Sequence, residues 1–178
     1  MHAVFRSALF ALAIATSVSA DAQTKYLMRE YIAKLPDEAQ QTTPAKLTTS
    51  IEIRSALNTC VQVAELEVYA GGVNVAAAAN GGSASSNGDY SGTSNASKAI
   101  DGVKPADYPY IFHGVCGGDL LTVSFARAVS VTGIVAWGRR DCCTDRDMFT
   151  YVLKNGSNAV ATGTLDARDN KVGQATPS

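Results

Sequence analysis

Alternation with a period of two, confined to short runs, is the feature that most constrains this chain. Apolar residues fall at Ile51 and Ile53 and again at Val61, Val63, Leu66 and Val68, and Gly71-Gly72 closes the second run. Successive strand side chains point to opposite faces, so each run can bury one face against a second layer. Further β-branched or aromatic runs at 120–125, 129–137 and 150–153 are separated by polar turns, and Asn155-Gly156 ahead of 159–164 is a hairpin signal. Repeated short strands of this kind predict an all-β sandwich or jelly roll. Helical spacing is found only at Leu27, Met28, Tyr31, Ile32 and Leu35, a short amphipathic stretch that Pro36 ends. The polar tail 166–178 is expected to fray.

A length of 178 residues suits one domain with a real core. Residues 1–20 read as an export signal: His2 and Arg6 precede the apolar run 8–15, and Val18-Ser19-Ala20 offers a cleavage site before Asp21. The alternative, an amino-terminal membrane anchor, is weaker because the run is well short of the roughly 20 residues needed to cross a bilayer. Residues 21–47, which contain the helical stretch, are expected to be a linker, and 48–178 the folded domain. With 15 basic and 16 acidic residues the net charge is -1, so no broad field exists to attract nucleic acid or an anionic membrane. A secreted protein with a neutral ligand is the expectation. The segment 80–97 is a long Gly/Ser/Asn-rich loop with one aromatic residue, Tyr90, and a polar loop of that length in a small domain points to function.

Export places Cys60, Cys116, Cys142 and Cys143 in an oxidising compartment, where an even count favours disulfides over metal ligands. Either the neighbours Cys142 and Cys143 close on each other, through a small ring with a distorted peptide link, or one of them staples to Cys60 or Cys116. A closed doublet is a flat apolar platform. Around it, in Arg139-Arg140-Asp141-Cys142-Cys143-Thr144-Asp145-Arg146, the forks of Arg139 and Arg146 can aim donors at hydroxyl and ring oxygens, with Asp141 orienting them. A sugar offers one polar and one apolar edge, and this combination suits it. The competing reading is a solvated cluster of charges with Asp141, Asp145 and Asp147.

The pattern Arg139-x-Asp141-Cys142-Cys143-x-x-Arg146 resembles the signature of the F-type, fucose-binding lectins. Ala99-Ile100-Asp101-Gly102 and Phe112-His113-Gly114-x-Cys116 are similar to the family's first half, so the resemblance covers most of 72–155. It implies a jelly-roll β-sandwich of the discoidin-like class, binding without turnover, and fucosylated or related glycans as partners. The carbohydrate-binding residues it implies are Arg139, Asp141, Cys142, Cys143 and Arg146, with His113 either standing in for the family histidine or a bystander, because the family position falls on Gly118. It implies pairing within Cys142-Cys143, and Cys60 taking over as partner of Cys116, since the family's cysteine falls on Ala64. It also implies a structural calcium ion, held by the carboxylates of Asp101 and Glu65 and by backbone oxygens at Lys98, Val103, Val115 and Ala64. The strand containing Glu65, last in the usual lectin, comes first here, so the order looks circularly permuted; the alternative is a fragment of a tandem array.

Other features carry less. Tyr90, Tyr108 and Tyr110 could flank a sugar or simply pack. Asn95-Ala96-Ser97 and Asn155-Gly156-Ser157 are glycosylation sequons. A glycosidase would need two carboxylates across a cleft, or a nucleophile with its base, and neither constellation is present in the sequence. The competing binding class is a discoidin-like adhesion module with an altered glycan or protein ligand. Weak single-site sugar binding gains from multivalency, so a homo-oligomer is a further expectation.

Overall fold

The computed structural model describes residues 46–168 and 172–177. Within them the chain forms two antiparallel sheets, a β-sandwich-like arrangement. The first sheet has the order β4-β6-β1-β8-β9, from β1 (Leu47–Ser55), β4 (Ser83–Ser86), β6 (Leu121–Ser130), β8 (Met148–Asn155) and β9 (Asn158–Asp166). The second has the order β10-β7-β2-β3, from β2 (Gln62–Ala70), β3 (Val73–Asn74), β7 (Gly133–Gly138) and β10 (Val172–Ala175), with β5 (Phe112–His113) also paired to β2. The earliest strands are central: β1 lies between β6 and β8, and β2 between β7 and β3. The expected signal peptide and amphipathic helix lie outside the described residues, and β1 begins at Leu47, one residue ahead of the expected domain start.

Alternation places the core between the sheets. Ile51 and Ile53 from β1 meet Leu121 and Val123, Phe149 and Leu153, and Leu66, Val68 and Ile134 from the facing sheet, all essentially dry. Burying each such side chain is worth about 1.5–3 kcal/mol relative to exposure. Along β2 and the residue before it the inward positions change parity, from Val61 and Val63 to Leu66 and Val68. The β2–β7 register shifts between Val63 and Glu65, a bulge that supplies the extra residue. The change sends Ala64 outward under a second small cluster with Ala106, Ile111 and Trp137. A long loop therefore covers the outer face of β2, and nearly the whole strand is buried.

Two expectations need correction. The apolar run 129–137 is not one strand: β6 ends at Ser130 and β7 starts at Gly133, so the chain changes sheets at Val131-Thr132. The tail does not simply fray either, because β10 pairs with β7 from Val172↔Trp137 to Ala175↔Ile134. Gly173 makes this possible: a Cβ there would stand 2.9 Å from the Asp166 amide nitrogen, so only glycine lets the tail pass so close to the end of β9. Composition had marked the tail as polar, but its backbone donors and acceptors are satisfied by a sheet edge.

Candidate functional site

Strand β7 ends at Gly138 and delivers Arg139 into the loop that carries the cysteine doublet. The Arg139 guanidinium makes a two-pronged contact with Asp141, Nε to Oδ1 at 2.7 Å and Nη2 to Oδ2 at 2.8 Å. Such paired, charge-assisted bonds fix the plane of the fork. Nη1 donates to Gln62 Oε1 at 3.4 Å, and the guanidinium lies 5.4 Å from the centre of the Tyr108 ring. Asp141 also accepts the Tyr108 amide at 3.1 Å. The Arg139 hydrogen bonds hold its carboxyl well below the usual carboxylate range, against a smaller opposing push from burial. Beside it Arg140 grips Asp107 with two bonds of 2.8 Å, tying this loop to the 104–111 segment.

The cysteines pair as Cys60–Cys116 and Cys142–Cys143. Cys142 is exposed and Cys143 half-buried, with Cys143 at φ 59 in the left-handed region, where a non-glycine residue costs about 1 kcal/mol or more. Arg146 is exposed at the end of the 3-10 turn Thr144–Arg146.

His113 joins this end of the molecule through β5, opposite Gln62 on β2. Its Nδ1 donates to Gly114 O at 2.7 Å, so in the neutral ring Nε2 is the acceptor. Tyr90 and Tyr108 close around the imidazole, with ring centres 4.7 and 6.2 Å away. The arrangement brings His113, Arg139, Asp141 and two aromatic rings together beside the disulfide-closed doublet. Tyr110 is exposed and has no ring partner among the described residues.

At Gly118 the departure from the family pattern has a physical basis. Cys116, Gly117 and Gly118 run at φ 70, 78 and 109, and the last value suits glycine alone, so a histidine would be strained there. Gly118 O accepts Asn87 Nδ2 at 3.1 Å, and buried Asp119 ties the loop down through the Val61 amide at 2.9 Å. Gly114 makes room for that carboxylate, since a Cβ would lie 2.0 Å from Asp119 Oδ2.

The expected calcium ligands do not all gather. Glu65 is buried on β2, and its Oε2 accepts the Gly102 amide at 3.0 Å. Asp101 ends the 3-10 turn Ala96–Ile100, with Oδ1 accepting the Val103 amide at 3.0 Å and Oδ2 facing Lys98 Nζ at 3.2 Å. Glu65, Ala64, Lys98, Asp101 and Val103 thus share one neighbourhood. Val115 does not: it is next to Cys116, whose partner Cys60 precedes β2, and Gly114 bonds to Val61 O. Val61 lies four residues before Glu65, a span of about 13 Å at strand rise, so the bonds that hold the 114–116 segment fall at the other end of this stretch from Glu65. Burial pushes the Glu65 carboxyl up to about 7; the Gly102 amide pulls the other way, and the charges of Asp101 and Glu67 add to the rise. Two neighbouring carboxylates, one of them dry, fit a hard cation. Among the described residues no three His, Cys, Asp or Glu side chains converge as a metal site, so an ion here would draw mainly on backbone oxygens.

Three parts of this end were not picked out from sequence. Gln62 supports Arg139 from below, and its signal is a polar residue inside the apolar run 61–68. Glu67 sits in a network with Lys104 Nζ and Trp137 Nε1, the latter bond 3.0 Å long, while Lys104 lies 5.0 Å over the Trp137 ring. Asp147, read only as one charge of a cluster, is fully buried. No family model, curated protein or solved structure matches this chain.

Proposed function

We propose that this protein is a secreted carbohydrate-binding lectin of the F-type kind, recognising terminal L-fucose or a similar sugar. It binds without turning its ligand over. The observation that carries this reading is the convergence of the Arg139–Asp141 pair, His113 and the Tyr90 and Tyr108 rings beside the Cys142–Cys143 disulfide. Polar donors and an acceptor lie next to apolar faces, which is what a sugar's two edges require. In this reading the sandwich is a permuted, discoidin-like jelly roll, and the central places of β1 and β2 support a permutation in which the first strands fill positions the last ones hold elsewhere. Arg146 supplies a second fork from the same loop. A structural calcium would be held by Glu65 and Asp101 with carbonyl oxygens of Ala64, Lys98 and Val103, fastening the 98–103 turn to β2 without contact with the sugar. Low net charge and the paired state of the loop arginines favour a neutral glycan over nucleic acid or membrane.

Calorimetric titration of the oxidised mature chain with L-fucose, with and without calcium and with Arg146→Ala as control, tests it. Saturable heat that the substitution abolishes is the expected result. No heat with any fucosylated glycan would overturn it in favour of a second reading, an adhesion module with an altered glycan or protein ligand. Gly118 favours that alternative, because its backbone excludes the family histidine and leaves His113, only 8% exposed, as the candidate imidazole.

A further inference from the structure

The loop 138–147 carries Arg139, Asp141, both cysteines of the doublet and Arg146, and its two ends meet at a residue none of these roles includes. Asp147 is 0% exposed. Its Oδ2 accepts the Arg139 amide at 2.7 Å, its own amide donates to Thr144 O at 3.2 Å, and its carbonyl accepts the Ala167 amide at 2.7 Å. A Cβ at Gly138 would stand 2.4 Å from Oδ2, so the strand end is trimmed to glycine where this carboxyl seats. Oδ1 has no hydrogen-bond partner among the described residues.

We infer that Asp147 is the positioning residue of this loop: its buried carboxyl, bonded to the Arg139 amide, sets where the Arg139 fork and the Cys142–Cys143 platform stand. The Arg139 side chain is fixed through Asp141, Gln62 and Tyr108. Asp147 holds its backbone amide at the point where the chain leaves β7, beside the bridge that Arg139 forms with Ala106.

The chemistry of the seat explains why a carboxylic acid and not a carboxylate suits it. Among the described residues Oδ1 is unpartnered in either form, but the ionised group would be a dry charge held by one backbone donor, whereas the acid leaves only a neutral polar atom unpartnered. Burial pushes the group up to about 8, while the Arg139 amide and the Arg139 charge pull it down and Asp145 adds to the rise. Among the described residues the charged groups that act on it are Arg139 from the end of β7 and Asp145 from the 3-10 turn. From the stretch after β9 the Ala167 amide donates to the Asp147 carbonyl. Asp147 therefore holds the loop as a neutral acid at and below neutral pH, and its ionisation in alkali puts an uncompensated charge under the Arg139 amide.

What the loop presents rests on the carbohydrate-binding reading; the positioning itself is tested without ligand. In the oxidised mature chain, NMR follows the Asp147 side-chain carbon and the Arg139 amide from about pH 5 to 10, in wild type, Asp147→Asn and Asp147→Leu. The side chain of wild type should report a neutral acid at pH 7, with the Arg139 amide following its titration. Asparagine, which keeps an acceptor, should retain the loop's shifts and remove that pH response, whereas leucine should displace the Arg139 and Cys143 amides. An Asp147 carboxyl ionised at pH 7, or an Arg139 amide indifferent to both substitutions, overturns the inference. Fucose titration of the same samples separates the two claims: asparagine should bind within about twofold of wild type and leucine about tenfold or more weaker, the loss of one buried bond. An absence of fucose binding in wild type with the NMR response intact would remove the sugar and leave the positioning role.

Discussion

Charges around the cysteine doublet are arranged in layers, and each layer behaves differently with pH. Asp141 faces outward in its two-pronged contact with Arg139, so it stays ionised into acid. Asp147 lies underneath, dry, and pushed up to about 8 by burial. In the unfolded chain an aspartate titrates near 4, about 4 units lower. The folded state therefore binds this proton more tightly: its advantage from Asp147 is complete below about pH 4 and is lost as pH rises toward 8. Replacing Asp147 by asparagine removes that loss. Urea unfolding should give Asp147→Asn a higher midpoint than wild type at pH 8–9 and a much smaller difference near pH 4; a gap that is equal at both ends would contradict the sign. The residue's burial was invisible in sequence, since an aspartate in a run of aspartates and arginines reads as solvated.

Elements were legible wherever one face is buried and the other is not. Strands β1 and β2 fall on the alternating runs, β8 and β9 on the β-branched runs that follow, and the Asn155-Gly156 turn joins β8 to β9 as read, whereas β6 runs on from 120–125 to Ser130 across the expected turn. Strand β10 was missed because an edge strand of Val172, Gly173, Gln174 and Ala175 buries too little to leave an apolar pattern. What fastens the covering loop to the second sheet was also hidden, because it is one polar network between distant segments. Burial alone would raise the Glu67 carboxyl, yet hydrogen bonds from Lys104 and Trp137 bring it below its ordinary value. Lys104→Met leaves that charge with only neutral donors, Trp137 and Tyr69, and should lower stability by about 1–3 kcal/mol. Trp137, the chain's single tryptophan, reports the event directly, so its fluorescence should shift in the native state as well as at the unfolding transition. An unchanged native spectrum and midpoint would dismiss the network as surface decoration.

Across the whole molecule the end that carries Arg139 and the doublet depends on segments far apart in the chain. Cys60–Cys116 spans 56 residues, and ties the loop entering β2 to the tight Cys116–Gly118 turn. Closing a loop of that length restricts the unfolded chain, worth about 2–4 kcal/mol. A Cys60→Ser, Cys116→Ser double variant should therefore unfold at lower temperature by that margin while keeping Cys142–Cys143 closed, which thiol counting in denaturant would verify. Loss of both disulfides on that substitution would mean that the doublet depends on the distant bridge for its formation.

By itself the sequence determined the all-β class, the strand-and-turn punctuation and the residue set around Arg139, Asp141 and the doublet. Period-two burial, glycine turns and adjacent cysteines are local properties, written in neighbouring residues. The tertiary structure alone decided that His113 would cluster with Tyr90 and Tyr108, that Gln62 and Asp147 would hold Arg139 from beneath, and that the tail would become an edge strand. Each of these depends on strand register and on which loop covers which face. Register is a collective outcome of packing, in which a single bulge between Val63 and Glu65 redirects every side chain that follows it on β2.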